Sequence, residues 1–197
     1  MSDKGIDQQL NILTSREHEK ASSSFHYHRY EPTPYNDLYC LFAEYKPNNH
    51  GRIVDYGCGK GRLLFYVHFY QQMKAVGIEL DNEILKAAKK NLQMYQKKTP
   101  VKAGDMDFVH CLAEKYPVKS IDQTFFFFNP FSIQIFIVVI NNIFQSYMEF
   151  PRGIDIILYY PSEDYIFFLE NHTIFELKQE IKLNKKSEDE RFLIYGI

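Results

Sequence analysis

Between a short apolar run, Arg52 to Tyr56, and a helix-like stretch, Arg62 to Gln72, the chain reads Val54-Asp55-Tyr56-Gly57-Cys58-Gly59-Lys60-Gly61-Arg62. Glycines at alternate positions let a backbone turn sharply out of a strand and approach a ligand with no Cβ in the way. A G-x-G pattern alone suits a dinucleotide or a bare turn equally well. Two residues narrow the choice. Asp55 stands two positions before the first glycine, and Arg62 occupies the place where the dinucleotide fingerprint takes a small residue. A carboxylate repels a pyrophosphate but attracts an ammonium, so the turn predicts a cofactor that is cationic nearby.

The rest of the chain alternates strand and helix patterns. Ala75 to Leu80 reads as a second strand, and Asp81 caps a helix whose apolar stripe is Ile84, Ala88, Leu92 and Tyr95. Val101 to Gly104 reads as a third strand. Thr124 to Phe128 is apolar throughout, as in a central strand covered on both faces. A helix over Ile133 to Tyr147, a strand over Ile154 to Tyr160 and a short helix over Tyr165 to Glu170 follow. Phe175 to Leu183 and Arg191 to Ile197 alternate, and the polar turn between them makes an antiparallel hairpin. The sum is a Rossmann-like, doubly wound α/β fold: a mostly parallel seven-stranded sheet with a C-terminal antiparallel hairpin. Ahead of it, residues 1 to 24 are polar and read as a frayed or weakly helical lead, and Asp37 to Glu44 as a short helix. The expected division is a lead and helix over 1–48, covering the cofactor site, and a main domain over 49–197.

Two further acids fall at strand ends. Glu79 closes the second strand 24 residues after Asp55, near the ~20-residue spacing of a ribose-binding acid. Gly104-Asp105-Met106 closes the third strand. An acid beside a thioether suits the amine and face of an adenine, although Gly-Asp also makes an ordinary turn.

Taken together these residues resemble the class I S-adenosylmethionine-dependent methyltransferases, from about Ile53 to Ile197. The resemblance implies that S-adenosylmethionine is the cofactor. It implies that Asp55, Tyr56, Gly57, Cys58, Gly59 and Gly61 hold its methionine part. Glu79 and Leu80 would then take the ribose, and Asp105 and Met106 the adenine. Within that superfamily the chain is similar to a group marked by Pro32-Thr33-Pro34, Gly59-Lys60-Gly61-Arg62 and Asn129-Pro130-Phe131, which adds Thr33 to the cofactor contacts.

Asn129-Pro130-Phe131 follows the fourth strand, where doubly wound folds place reactive groups. It resembles the Asn-Pro-Pro-aromatic motif of methyltransferases acting on planar amines. There the Asn side chain and a Pro carbonyl accept hydrogen bonds from the target nitrogen, and the aromatic ring stacks on its plane. This chain lacks the second proline, so Phe131 comes one residue early. Asn129, Pro130 and Phe131 are thus the candidate catalytic residues, and a nucleic acid base or a protein side chain the candidate acceptor. The competing reading makes Pro130 a strand stop and Asn129 a helix cap.

Composition limits the alternatives. A net charge of −2 advertises no polyanionic partner, so nucleic acid is allowed but not indicated. Three widely spaced cysteines, Cys40, Cys58 and Cys111, form no C-x-x-C pair, which fits a reducing cytoplasm and excludes a disulfide scaffold. The apolar stretch Phe131 to Phe144 is interrupted by Gln134, Asn141 and Asn142 and is shorter than the ~20 residues that span a bilayer, so no membrane is expected. His26 and His28 have no patterned metal-ligand partners. Lys86, Lys89, Lys90, Lys97 and Lys98 read as a solvated helix face. The chain ends within the last predicted strand, so the expected acceptor is small or a local element of a large partner. A nicotinamide-dependent reductase is disfavoured by Asp55 and Arg62. The alternative from another class is a protein that binds S-adenosylmethionine for regulation or scaffolding without transferring methyl.

Overall fold

The fold was analysed on a computed structural model that describes residues 2–15, 31–47, 51–183 and 189–197. The end of the polar lead, His26, His28 and the turns at 48–50 and 184–188 lie outside the described residues.

Seven strands form one sheet in the order β3-β2-β1-β4-β5-β7-β6. They are β1 (Arg52–Tyr56), β2 (Lys74–Glu79), β3 (Met106–His110), β4 (Asp122–Phe127), β5 (Asp155–Tyr159), β6 (Glu176–Lys182) and β7 (Arg191–Gly196). The first five run parallel, and β7 lies antiparallel between β5 and β6. Among the described residues six α-helices accompany them: α1 (Asp3–Leu10), α2 (Tyr35–Glu44), α3 (Arg62–Gln71), α4 (Asn82–Tyr95), α5 (Ile133–Glu149) and α6 (Glu163–His172). The expected doubly wound sheet with its C-terminal hairpin is the fold observed.

Two apolar layers sandwich the sheet, and the strands supply both by alternation. Ile53, Ala75, Phe108, Phe126 and Ile157 face α2, α3 and α4, whereas Val54, Tyr56, Val76, Phe125, Phe127 and Leu158 face α5 and α6. The phenylalanine run is thereby explained. Phe125 and Phe127 pack on one layer and Phe126 on the other, each 1% exposed or less. On the α5 side Phe136 stacks on Tyr165 at 3.7 Å between ring centres.

One expected strand is corrected. The third strand is Met106–His110, not Val101 to Gly104. Gly104 has a φ of +84°, and Asp105 closes a tight turn, its backbone N donating to the Lys102 carbonyl and its side chain accepting from the Lys102 N. Apolar Val101 was mistaken for a strand residue in a segment that turns before the strand begins. Of the two readings of the polar lead, the helical one holds where it is described, as α1. Ser2 caps α1 through the Gly5 N, and Leu10 and Ile12 are buried. Asp7, only 3% exposed, accepts from the backbone and hydroxyls of Thr14 and Ser15 and from the Tyr35 hydroxyl. A carboxylate with this many donors can be buried in an otherwise polar segment without the cost of an unpaired charge.

The amino ends of the two central strands are held by charge. Arg52 on β1 meets Asp122 on β4 at 2.7 Å, and Asp122 also accepts from the Tyr116 hydroxyl and the Lys119 N. Asp122 is fully buried. Asp122→Ala strands the Arg52 guanidinium in the interior and is expected to cost about 3–5 kcal/mol, a loss that urea unfolding monitored by circular dichroism measures directly.

Candidate functional site

All five parallel strands present their carboxyl ends at one edge, and the glycine turn leaves the middle of it. Gly57 and Cys58 donate their backbone N–H groups to the Ile78 carbonyl, folding the turn over the end of β2. Gly57 has a φ of +77°, and a Cβ there would lie 2.8 Å from the Pro130 Cβ. Gly61, at φ +86°, leads into α3, and its missing Cβ leaves room for the Phe108 ring at 2.6 Å. The turn is thus pressed between the loop after β4 on one side and β3 on the other. Neither position tolerates a side chain.

Two carboxylates stand over this turn. Glu79 accepts from the Gly59 N at 3.0 Å and from the Asp81 N at 2.8 Å, tying the glycine turn to the end of β2. Asp81 in turn caps α4 through the Glu83 and Ile84 backbone N–H groups. Asp55 is 6% exposed and, among the described residues, accepts no hydrogen bond. Burial first and the nearby Glu79 second push its carboxyl up to about 8. Burial also raises Glu79, opposed by its backbone donors. A buried carboxylate left without a donor or a counter-ion is a site prepared for a cation.

The remaining cofactor candidates separate. Leu80 is half-buried beside this edge, its carbonyl in contact with the His110 ring at 2.8 Å. Thr33 is buried, with its carbonyl held by Arg62 Nη1 at 3.1 Å, just past the glycine turn. Tyr56 turns its ring away into the α5 layer, stacked on Phe127 at 5.1 Å, so that only its backbone stays at the edge. Cys58 is buried, and burial raises its thiol, which removes it from thiolate chemistry.

Asp105 and Met106 are not brought to the site. Since β3 begins at Met106, both lie at the amino edge, the opposite end of the sheet. Asp105 there accepts the Ala75 N and faces His68 at 3.9 Å, and Met106 is packed in the core. The carboxyl end of β3 instead carries His110, followed by Cys111 and Leu112. The alternation of Met106 and Phe108 with Asp107 is the signal that could have located it.

On the acceptor side, Asn129 is half-buried in the left-handed region at φ +39°, and Pro130 leans on Gly57. The N-cap position of α5 is occupied by Ser132, whose side chain makes no capping hydrogen bond to the helix. Phe131, read as a stacking ring, is a core residue instead. It is 1% exposed, edge-on to Tyr56 and Phe127, and its carbonyl accepts from the Tyr165 hydroxyl. The missing second proline leaves it one position early, on the buried face. Half-exposed rings next to Asn129 come from residues the sequence reading passed over. Phe128 ends β4, and Tyr160 follows β5 at φ +50°, with their ring centres 5.7 Å apart. Tyr159 lies 4.5 Å from Phe128 and donates to the buried Asp37 of α2. Tyr160 bonds Glu190 and sits in the field of Asp37 and Glu31.

A turn of this shape at the carboxyl edge of a 3-2-1-4-5-7-6 sheet defines the methyltransferase class of doubly wound folds. Residues 47–189 match the methyltransferase domain family, and the chain belongs to it. It is therefore an enzyme, with S-adenosylmethionine as its cofactor, as the acidic glycine turn leads one to expect. Solved structures agree in fold at low identity. A methyltransferase from Pyrococcus furiosus aligns with a TM-score of 0.63 at 15% identity, over 98% of this chain and 93% of its own. An RNA methyltransferase from Salinibacter ruber, in complex with S-adenosyl-L-homocysteine, aligns at 0.55 and 16%, over 84% and 92%. The tRNA (uracil-54, C5)-methyltransferase of Pyrococcus abyssi aligns at 0.57 and 12%, over 82% of this chain but only 38% of its own length. No curated protein matches the sequence. Among the described residues no helix is long and apolar enough to cross a membrane.

The raised Asp55 carboxyl sets the sign of a pH effect. Its folded value, about 8, lies above the ~3.9 of an unfolded Asp, so between the two the folded chain binds the extra proton. Stability of the cofactor-free protein should therefore fall as pH rises from 4 towards 8, and Asp55→Asn should flatten that slope in a melting series. A cationic ligand seated on Asp55 must expel the proton. Calorimetry at pH 6.5 in buffers of different ionisation enthalpy should register release of about one proton per cofactor bound, and none from Asp55→Asn.

Proposed function

We propose that the chain transfers the methyl group of S-adenosylmethionine to a planar amine nitrogen, with Asp55, the Gly57–Gly61 turn, Glu79, Leu80 and Thr33 holding the donor. The methionine ammonium would satisfy Asp55, and the ribose hydroxyls would share Glu79 with its backbone donors. The segment 31–47 would flank the donor. Asn129 and Pro130 would orient the acceptor, and the half-exposed rings of Phe128 and Tyr160 would take the stacking role that Phe131 cannot fill.

The observation that carries this reading is the contact of Pro130 with Gly57. It puts the Asn129-Pro130 loop against the turn assigned to the donor, so a nitrogen bound by Asn129 would lie beside the transferable methyl. In-line transfer from a sulfonium asks the protein mainly for alignment and exclusion of water, and alignment is worth on the order of 7–11 kcal/mol. No buried nucleophile or metal is required. The carboxylates around Tyr160 (Glu190, Asp37 and Glu31) disfavour a phosphate next to the reacting nitrogen. They favour an amine of a protein side chain or small molecule over a nucleic acid base, although several of the fold neighbours are RNA enzymes.

Calorimetry should show S-adenosylhomocysteine binding while NAD and NADP give no heat. Glu79→Ala should weaken that binding roughly 10- to 100-fold, from the loss of hydrogen bonds to a charged group. Methyl-labelled donor incubated with cell extract and separated into RNA, protein and small molecules identifies the acceptor class. Label in RNA would defeat the preference stated above. With the acceptor in hand, Asn129→Ala should abolish transfer while donor affinity changes less than about twofold. Tyr160→Ala or Phe128→Ala should raise the acceptor KM about 2- to 10-fold. Phe131→Ala should instead lower stability by roughly 3–5 kcal/mol.

A further inference from the structure

We infer that the N-terminal segment, residues 2–15, is a working part of the donor site, fastened to it by Asn91 and Arg62, so that donor binding and docking of the segment reinforce each other. The inference rests on the reading that the donor lies against Gly57–Gly61.

Asn91 sits in the middle of α4 and is 3% exposed. Asparagine is a poor helix former, and a buried amide is costly unless its groups are paired. Here they are paired, and all on backbone. Oδ1 accepts from the Leu13 N at 2.9 Å, and Nδ2 donates to the Leu13 carbonyl at 3.3 Å and to the Lys60 carbonyl at 3.2 Å. One side chain therefore holds the N-terminal segment and the glycine turn together. Movement of Lys60 displaces the group that fixes Leu13.

Arg62 makes the second fastening. It stands in the first turn of α3, where a cation opposes the helix dipole and is unfavourable for the helix itself. Its guanidinium is instead spent on the segment. Nε donates to Thr14 Oγ1 at 2.8 Å, Nη2 to Ser15 Oγ at 2.9 Å and Nη1 to Asp3 Oδ2 at 2.5 Å, while the Tyr35 ring lies 4.5 Å away. The same Nη1 reaches the Thr33 carbonyl. Asp7 gathers Thr14, Ser15 and Tyr35 from the other side. The segment is thus a folded strap whose attachment points, Lys60 and Arg62, border the turn assigned to the donor. A ligand that orders that turn must stabilise the docked strap, and by linkage the docked strap must strengthen the ligand.

The test uses the full chain and S-adenosylhomocysteine as probe. Saturating probe should slow amide hydrogen exchange at Leu13, Thr14 and Ser15, which needs no variant. Asp7→Asn removes the carboxylate that organises the strap without touching the turn, and should weaken the probe about tenfold. Asn91→Asp, which loses the amide donor to Lys60, should do the same, and the double variant should be no weaker than the worse single variant. If Asp7→Asn fails to fold, Arg62→Lys, which keeps the charge and loses the fork, serves in its place. Unchanged exchange at residues 13–15, a lower melting temperature with unaltered probe affinity, or additive effects of the two substitutions would each overturn the coupling. Failure of the wild-type chain to bind the probe would instead overturn the donor-site reading itself.

Discussion

At Gly57 the chain leaves β1 with a φ of +77°, in a space where even a single methyl would press on Pro130. Everything at the carboxyl edge follows from that close approach. The turn can fold back onto β2 only because Gly57 and Cys58 donate to Ile78, and the loop after β4 can reach it only because no side chain intervenes. Two loops from different strands are thereby held at van der Waals distance. One carries acids suited to a cationic donor, and the other carries Asn129.

The treatment of buried charge separates scaffold from site. At the amino end of the sheet, Arg52 and Asp122 neutralise each other, with Tyr116 and Lys119 filling the remaining positions on the carboxylate. Along the N-terminal segment Asp7 and Arg62 are likewise engaged by local donors and acceptors. These groups are committed to partners within the fold, and their effect is to fix geometry. Asp55 is the contrary case, buried among the described residues without a donor, beside another acid. Such a group is unfavourable for folding and is retained where binding relieves it. Its carboxyl is correspondingly difficult to ionise until a cation arrives.

The edge proposed for the acceptor is built differently, from rings. Phe128, Tyr159 and Tyr160 converge from β4 and β5, with tyrosine hydroxyls anchored on Asp37 and Glu190. The anchoring limits ring rotation, so a planar group would meet a wall already in position. The same geometry explains why Phe131 has no place in that wall. Three residues beyond Phe128 the chain has crossed to the α5 side, and its ring is enclosed by Tyr56 and Phe127.

What was legible in the sequence follows from local rules. Alternation and helical period located six of the seven strands and the helices from Arg62 onward, because each element's burial pattern is written in its own residues. Asp55, the alternate glycines and Glu79 could be read because a turn out of a strand and an acid at a strand end are local events. What was misread depended on partners distant in the chain. Val101 looked like a strand until the turn at Gly104 and the pairing of Met106 with Ala75 set the register, and Asp105 moved to the opposite edge with it. The polar lead reads as no more than frayed or weakly helical because its anchors, Arg62, Tyr35 and Asn91, lie tens of residues away. Sequence by itself thus determined the class of fold and the place of the glycine turn with its two acids. Only the tertiary structure decided which residues share an edge, since a shift of strand register, or a contact between segments far apart, leaves no local trace.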